Sequence, residues 1–238
     1  MPGRVARKSA CGKWLPSRQR HANPCRNMAE LVPPLTRTAS IAGLCWLGFA
    51  AIAIPVTQGW TQGFDEAAMT ALRSGPSALN GLFTAITRLG EGPLRFALAV
   101  VAAIALALLR HQREALFVAF AVLPAGLING EMKLLFARPR PSVVDHLVGA
   151  DGFSFPSGHA FGSTALYLAL ALAFVPLVRA KFHRPAIFAA LLIGALIAFS
   201  RVWLGVHYPS DVLAGWLGAV GWVLGCWVLV ARVAAPRS

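Results

Sequence analysis

Charged residues are scarce in this sequence, and acidic residues are the scarcest. Only 13% of the residues are charged, and 9 Asp and Glu stand against 22 Lys and Arg. A soluble domain of similar length carries about a quarter charged residues. Because 57% of the residues are hydrophobic, the composition excludes an ordinary soluble domain. It predicts a membrane protein that crosses the bilayer several times and forms one domain.

Paired cysteines, internal repeats and a cleavable leader are also missing. The cysteines are divided between the N-terminal segment and apolar segments: Cys11, Cys25, Cys45 and Cys226. No pair has the spacing of a metal site or a clear disulfide context. The first apolar stretch begins only near Ala39, so nothing resembles a cleavable signal peptide. There is no low-complexity linker that would separate two domains.

Six segments are apolar and long enough to cross a bilayer, which requires about 20 mostly apolar residues. They lie at about 39–57, 93–110, 115–137, 160–178, 185–204 and 212–231. We therefore predict an all-α integral membrane bundle of six transmembrane helices over residues 39–232. Residues 233–238 are expected to form a short cytoplasmic tail.

The longest region between spans, residues 64–90, has a helical periodicity of its own. Its apolar side chains recur at the spacing of one helix face: Leu79, Leu82, Phe83, Ile86 and Leu89. This pattern predicts an amphipathic helix on the membrane surface, after a shorter helix at about 65–73. Packing over the bundle and facing a substrate are equally compatible with the pattern.

Positive charge is concentrated at the N-terminus. The net charge is +13, and residues 1–27 contain seven Lys and Arg but no acidic residue. Beside membrane spans, such a tail more often marks a cytoplasmic end that contacts anionic lipid than a nucleic-acid site. We expect residues 1–38 to form a basic, disordered cytoplasmic tail and expect no nucleic-acid partner. Met28 offers an alternative start of translation within this tail.

The distribution of Lys and Arg sets the predicted orientation. With a cytoplasmic N-terminus, 15 basic residues lie on the cytoplasmic side and seven on the opposite side. Cytoplasmic loops usually carry the excess of positive charge. The sequence therefore predicts that both termini are cytoplasmic. On the extracytoplasmic side, we expect Arg138 to contact a lipid headgroup or to extend to the membrane interface.

Three short polar segments interrupt the apolar sequence, and all three fall on that extracytoplasmic side. They contain, in chain order, Lys133 with Arg140-Pro141, then Pro156-Ser157-Gly158-His159, then Ser200-Arg201 with His207 and Asp211. Charged groups at the ends of apolar spans are costly and usually functional. Their convergence on one membrane face predicts a single site at the extracytoplasmic helix ends.

The residue types in these segments suit a phosphate ester. Ser157 and Gly158 stand at the predicted start of the fourth span, where free backbone N–H groups bind anions. Lys133, Arg140 and Arg201 supply positive charge for phosphate oxygens, and the planar fork of arginine matches their geometry.

Two histidines could perform the cleavage. A histidine can attack phosphorus while a second group protonates the leaving oxygen. Asp211 lies four residues after His207, so it can hold one ring nitrogen and fix the tautomer of the imidazole. This spacing makes His207 the better candidate for the nucleophile and His159 the better candidate for the acid. Spacing alone leaves the reverse assignment open.

Together the three segments resemble the type 2 phosphatidic acid phosphatase superfamily, which is related to the vanadium haloperoxidases. The pattern Lys-x6-Arg-Pro, Pro-Ser-Gly-His, Ser-Arg-x5-His-x3-Asp is complete over residues 133–211. The resemblance implies His207 as the nucleophile, His159 as the general acid and Asp211 as the partner of His207. It implies no metal or other cofactor, and it implies five phosphate ligands: Lys133, Arg140, Arg201, Ser157 and Gly158.

The resemblance implies a lipid phosphatase that cleaves a phosphomonoester or a terminal pyrophosphate through a phosphohistidine intermediate. Undecaprenyl pyrophosphate is our first choice of substrate, and phosphatidylglycerol phosphate, phosphatidic acid and lipid A phosphates are the alternatives. A vanadate haloperoxidase is disfavoured by the spans, because those relatives are soluble. A non-catalytic lipid-binding or transport protein is disfavoured because both histidines and Asp211 are present. The oligomeric state is left open.

Overall fold

A computed structural model describes residues 35–233 of the chain. Residues 1–34 and 234–238 lie outside this part. Most of the predicted basic tail, Cys11 and Cys25 therefore lie outside the described residues, as does nearly all of the predicted C-terminal tail. Every regular element between residues 35 and 233 is a helix, which confirms the predicted all-α fold.

The described residues form nine α-helices and two short 3₁₀ turns. The α-helices are α1 Leu35–Thr57, α2 Gln62–Arg73, α3 Leu79–Arg88, α4 Gly92–Leu108, α5 Gln112–Val122, α6 Ala125–Phe136, α7 Gly158–Phe174, α8 His183–Trp203 and α9 Pro209–Val233. The 3₁₀ turns, Val175–Leu177 and Ala180–Phe182, connect α7 to α8.

Five stretches of the described chain are long and apolar enough to cross a membrane on their own. They are Leu35–Thr57, Gln112–Phe136, Gly158–Leu177, Ala180–Trp203 and Pro209–Val233. A sixth span forms when α3 and α4 are taken together across a bend of 44°. The second predicted span is thus the exception, because α4 has only 17 residues and reaches the length of a span only with α3.

The third predicted span, residues 115–137, corresponds to the single apolar stretch Gln112–Phe136, which contains two helices. Leu123 and Pro124 separate α5 from α6, since a proline cannot donate the hydrogen bond that would continue α5. The first span also differs from the prediction, because α1 begins at Leu35 and so includes the last four residues of the predicted tail. Neither difference changes the order of the helices.

Helix α7 forms the centre of the bundle. It is buried along most of its length and packs against α4, α5, α8 and α9. A Cβ added at Gly215 of α9 would lie 2.8 Å from the carbonyl oxygen of Ser157 and 3.1 Å from the Cβ of Ala160. Small residues let membrane helices approach closely. Gly215 therefore allows the N-terminus of α7 to lie directly against α9.

The two halves of the segment at 64–90 lie close to their predicted positions, as α2 and α3. Helix α3 packs against α8, and the Phe83 ring lies 4.8 Å from the Trp203 ring. Helix α2 contacts α8 and α9. Both helices cover the same end of the bundle, where the three polar segments meet.

Candidate active site

The three polar segments come together at one end of the bundle. The guanidinium Nη1 of Arg140 lies 3.3 Å from Nε2 of His207. The backbone N–H of Ser157 donates to the Asp211 carbonyl oxygen at 3.1 Å. A Cβ added at Gly158 would lie 4.0 Å from Cε of Lys133. Each segment therefore contacts the other two.

His207 lies between a carboxylate and a cation. Its Nδ1 is 3.4 Å from Oδ2 of Asp211 and 3.3 Å from the hydroxyl of Ser154. Helix α9 begins at Pro209, a residue suited to the first helical position. The chain between His207 and Asp211 is thus one turn at the helix start. This turn directs Nδ1 toward the carboxylate and leaves Nε2 facing Arg140.

Asp211 is fully buried and accepts several hydrogen bonds. The backbone N–H of Tyr208 donates to Oδ2 at 2.9 Å, and the Ser154 hydroxyl donates to the same oxygen. Arg138 donates to Oδ1 from Nη1 at 2.7 Å. These donors stabilise the ionised carboxylate and fix its plane. A carboxylate held in this way can orient the imidazole of His207.

The environment of His207 favours its neutral form. Burial lowers the pKa of His207 to about 4, against the opposing effect of Asp211, and the charges of Arg140 and Lys133 lower it as well. Because an unperturbed histidine has a pKa near 6.5, His207 is neutral at pH 7. With the Nδ1 proton facing Asp211, the lone pair lies on Nε2, on the side of Arg140.

Arg140 is fixed by three backbone carbonyl groups. It donates to the carbonyl oxygens of Gly152 at 3.0 Å, Val206 at 2.8 Å and Asp151 at 2.6 Å. Lys133, on α6, donates to the carbonyl oxygen of Phe153. Carbonyl dipoles orient these side chains but do not neutralise them, so both positive charges remain available to an anion.

Arg201 and His159 complete the set of predicted side chains. Arg201, in the last turn of α8, is buried and donates to the Thr87 hydroxyl at 3.0 Å. His159 lies in the first turn of α7, and a Cβ added at Gly90 would come within 3.0 Å of its ring. Among residues 35–233, neither Arg201 nor Arg140 nor Lys133 forms a salt bridge with a carboxylate.

Ser157 and Gly158 form the beginning of α7. Ser157 is the N-cap residue, and its hydroxyl accepts from the Ala160 N–H at 3.4 Å. A Cβ added at Gly158 would lie 2.9 Å from Oδ1 of Asn129 on α6. Glycine therefore lets α6, with Lys133, approach the start of α7. The first N–H groups of α7 then face the cations, which is a favourable arrangement for binding an anion.

The prediction for Arg138 is wrong. The side chain is 8% exposed and forms ion pairs with Asp211 at 2.7 Å and with Asp65 at 2.8 Å. Its guanidinium also lies 4.1 Å from the centre of the Tyr208 ring. A buried charge requires a partner, and two buried carboxylates provide one on each side. Arg138 therefore lies inside the bundle instead of at the lipid interface.

Asp65, Ser154 and Thr87 belong to the site and Arg95 borders it, but none of the four appears in the sequence prediction of the site. Asp65 of α2 is fully buried and accepts from both the backbone N–H and the hydroxyl of Ser210. Its signal in the sequence is a carboxylate on a short helix of a chain that has few acidic residues. Arg95 of α4 donates to the Gly158 carbonyl oxygen at 3.0 Å.

The chain is similar to several known proteins. A family model described as PAP2 superfamily matches residues 114–235. Phosphatidylglycerophosphatase B of Bacillus subtilis (strain 168) is 30% identical over 174 residues, which cover 71% of this chain and 85% of the relative. Undecaprenyl-diphosphatase BcrC of the same organism is 38% identical over 103 residues, which cover 40% of this chain and 48% of the relative.

A solved structure has the same fold. It is a transmembrane PAP2-type phosphatidylglycerolphosphate phosphatase from Bacillus subtilis, and it matches with a TM-score of 0.76 at 27% sequence identity. The match covers 82% of this chain and 98% of the solved one. The likeness therefore extends over nearly the whole described part of the chain.

Proposed function

The chain belongs to the PAP2 superfamily, and on this premise we propose how it acts. It is a multi-pass membrane lipid phosphatase. We propose that it hydrolyses a phosphomonoester or a terminal pyrophosphate of a lipid through a phosphohistidine on His207. The observation that carries this proposal is the position of His207, with Nδ1 at the Asp211 carboxylate and Nε2 beside Arg140.

In the first step, Nε2 of neutral His207 attacks the terminal phosphorus. An N–P bond forms, the P–O bond to the leaving group breaks, and protonated His159 gives its proton to the leaving oxygen. The leaving group is the lipid alcohol or the lipid monophosphate. Asp211 keeps its contact with Nδ1 and stabilises the positive charge that develops on the ring.

The phosphate oxygens are held by the cations and by the start of α7. Lys133, Arg140 and Arg201 stabilise the negative charge of the transferring group, as fixed cations do in phosphoryl transfer. Ser157 and Gly158 place the first N–H groups of α7 toward the same oxygens. We expect this set to act without a metal ion or another cofactor.

In the second step, water attacks the phosphorus of the phosphohistidine. His159, now neutral, takes a proton from the water, and the N–P bond breaks. Inorganic phosphate leaves, His207 returns to its neutral form, and His159 is protonated again for the next turnover. Each histidine therefore ends the cycle as it began.

Undecaprenyl pyrophosphate remains our first choice of substrate, and phosphatidylglycerol phosphate is the main alternative. An undecaprenyl-diphosphatase and a phosphatidylglycerophosphatase among the relatives support these two choices. Phosphatidic acid and lipid A phosphates follow. From the distribution of Lys and Arg, we place the site on the extracytoplasmic face of a bacterial-type inner membrane. The lipid tail stays in the bilayer while the headgroup binds at the helix ends.

Phosphate release by the purified protein tests the proposal. We expect activity against at least one of these four lipids in the wild type. His207→Ala is expected to reduce the rate by several orders of magnitude while the protein stays folded, because the nucleophile is lost. His183→Ala is the matched control, since His183 begins α8 at the end opposite Arg201. Activity that persists in His207→Ala would overturn the proposed mechanism.

A further inference from the structure

Arg95 is a cation within the membrane bundle that the proposed reaction does not use. It lies in the first turn of α4 and faces α7, where it donates to the Gly158 carbonyl oxygen. Within the described residues no carboxylate forms a salt bridge with it. Within the same part of the chain, its Nε is buried and has no hydrogen-bond partner. A charged side chain inside a membrane protein is energetically costly, and such residues usually mark a functional site.

The neighbouring helix leaves space for the guanidinium of Arg95. A Cβ added at Gly162 of α7 would lie 1.0 Å from Nη1 of Arg95. Any larger residue at this position would displace the guanidinium. Gly162 is one helical turn after Gly158, so Arg95 lies one turn further into the bilayer than the start of α7.

A cavity of about 140 Å³ lies beside Arg95. Among the described residues that line it, Arg95 alone is charged. The other walls come from α4, from α7 and from the break between α5 and α6, and they include Phe96, Leu123 and Gly162. Phe96 and Leu123 are exposed on the outer surface of the bundle, which faces lipid in a membrane. The cavity thus combines one cation with apolar walls, beside the first turn of α7.

We propose that Arg95 binds a second phosphate group of the substrate, on the lipid side of the phosphate that is cleaved. This inference rests on the proposed function and specifies its substrate class. The terminal phosphate occupies the site of Lys133, Arg140 and Arg201, and the next phosphate along the headgroup lies against Arg95. The preferred substrate is therefore a lipid that carries two phosphates in succession, such as a polyprenyl pyrophosphate, and not a lipid with one phosphate.

A purely structural Arg95 would behave differently. If Arg95 only held the Gly158 carbonyl, its loss would disturb the start of α7 and slow the cleavage of every lipid equally. A ligand of the second phosphate affects only those substrates that carry one. The ratio of kcat/KM for a diphosphate and a monophosphate with the same tail separates the two roles.

The experiment compares initial phosphate release from undecaprenyl pyrophosphate and from undecaprenyl phosphate, with the full-length protein in detergent micelles. The wild type is expected to prefer the pyrophosphate. In Arg95→Gln, kcat/KM for the pyrophosphate should fall about tenfold or more, as for a lost hydrogen bond to a charged group. The value for the monophosphate should fall less, because only the contact with the Gly158 carbonyl is lost there, so the ratio of the two values should drop about tenfold.

Two further variants test the inference at Arg95. Gly162→Ala displaces the guanidinium without removing its charge, so it should reproduce the selective loss. Arg88→Gln is the matched control, because Arg88 is exposed at the end of α3 and lies outside the cavity. An equal fall for both lipids in Arg95→Gln, or a wild type that prefers the monophosphate, would overturn the inference and leave the proposed function intact. A wild type inactive on all lipids tested would overturn both.

An inhibition measurement on the wild type keeps the inference testable if both Arg95→Gln and Gly162→Ala fail to fold. Methylenediphosphonate should inhibit the wild type at a concentration about tenfold lower than inorganic phosphate, because it presents two adjacent anionic groups. Equal inhibition by the two compounds would contradict a second phosphate site.

Discussion

At the scale of single residues, the two ring nitrogens of His207 meet opposite charges. Asp211 lies beside Nδ1 and Arg140 beside Nε2. The carboxylate determines which nitrogen carries the proton, and the cation can bind the phosphate oxygen next to the attacking nitrogen. Burial lowers the pKa of His207 to about 4, so the ring is neutral at pH 7.

The lowered pKa of His207 predicts the pH dependence of activity. Because the imidazole stays neutral down to a pKa of about 4, the acid-side fall of kcat/KM should have its midpoint near pH 4. A free histidine would place this midpoint near pH 6.5. A pH–rate profile, corrected for ionisation of the substrate phosphate, measures it. A midpoint near pH 6.5 would contradict the neutral, buried imidazole.

The same pKa affects stability. Between pH 6.5 and about pH 4 the unfolded chain binds a proton at His207 that the folded chain does not. The contribution of His207 to stability is therefore full above the unfolded pKa and is lost as pH falls through this window. Thermal unfolding in detergent should show this loss in the wild type, and His207→Ala should show less of it.

At the scale of helices, α2 is joined to the site through Asp65. The Asp65 carboxylate accepts hydrogen bonds from Arg138 and from both the backbone N–H and the hydroxyl of Ser210, at the start of α9. Arg138 in turn donates to Asp211, so the orientation of His207, the proposed nucleophile, depends on a helix outside the three motifs. In the proposed mechanism Asp65 and Arg138 are positioning residues, because they act on His207 through Asp211.

Asp65→Asn is expected to weaken this connection. Removing one partner of a buried ion pair costs about 3 to 5 kcal/mol of stability, and the melting temperature in detergent should fall accordingly. If Asp65 positions Asp211, kcat should fall while KM stays nearly constant, because substrate binding does not involve Asp65. Glu66→Gln is the control at the neighbouring position. A fall in melting temperature with an unchanged kcat would restrict Asp65 to a structural role.

At the scale of the whole molecule, apolar length predicted most of the bundle. Four of the six predicted spans correspond to single long helices, since such helices need only a sufficient run of apolar residues. The break at Pro124 and the bend between α3 and α4 were not predicted, because average hydrophobicity does not record where a helix is interrupted. Both irregularities lie beside the cavity at Arg95.

The motif residues lie together, as their positions at the ends of the apolar spans predicted. The residues that support them could not be found from those positions. Arg138 and Asp65 are 73 positions apart in the sequence, and no local pattern connects them. In the sequence, Arg138 stands as an isolated cation at the end of a span. Only the folded chain shows that two carboxylates surround it. The roles of the motif residues and the orientation in the membrane stay predictions.

Cysteine labelling tests the orientation in intact cells. In a variant without the native cysteines, Asp145→Cys places a thiol in the exposed connection between α6 and α7. A membrane-impermeant maleimide should label it from outside the cytoplasmic membrane, because the positive-inside rule places this connection there. Lys181→Cys, between α7 and α8, should react only after the membrane is permeabilised. The reverse pattern would overturn the orientation.

The hydrogen bond between the Ser157 N–H and the Asp211 carbonyl has one further consequence. It joins α7 to α9 at the ends that carry His159 and His207. Because the bond joins two backbone groups, a non-proline substitution at either position leaves it in place. A variant at Ser157 or Asp211 therefore tests the side chain and not the spacing of the two helix ends.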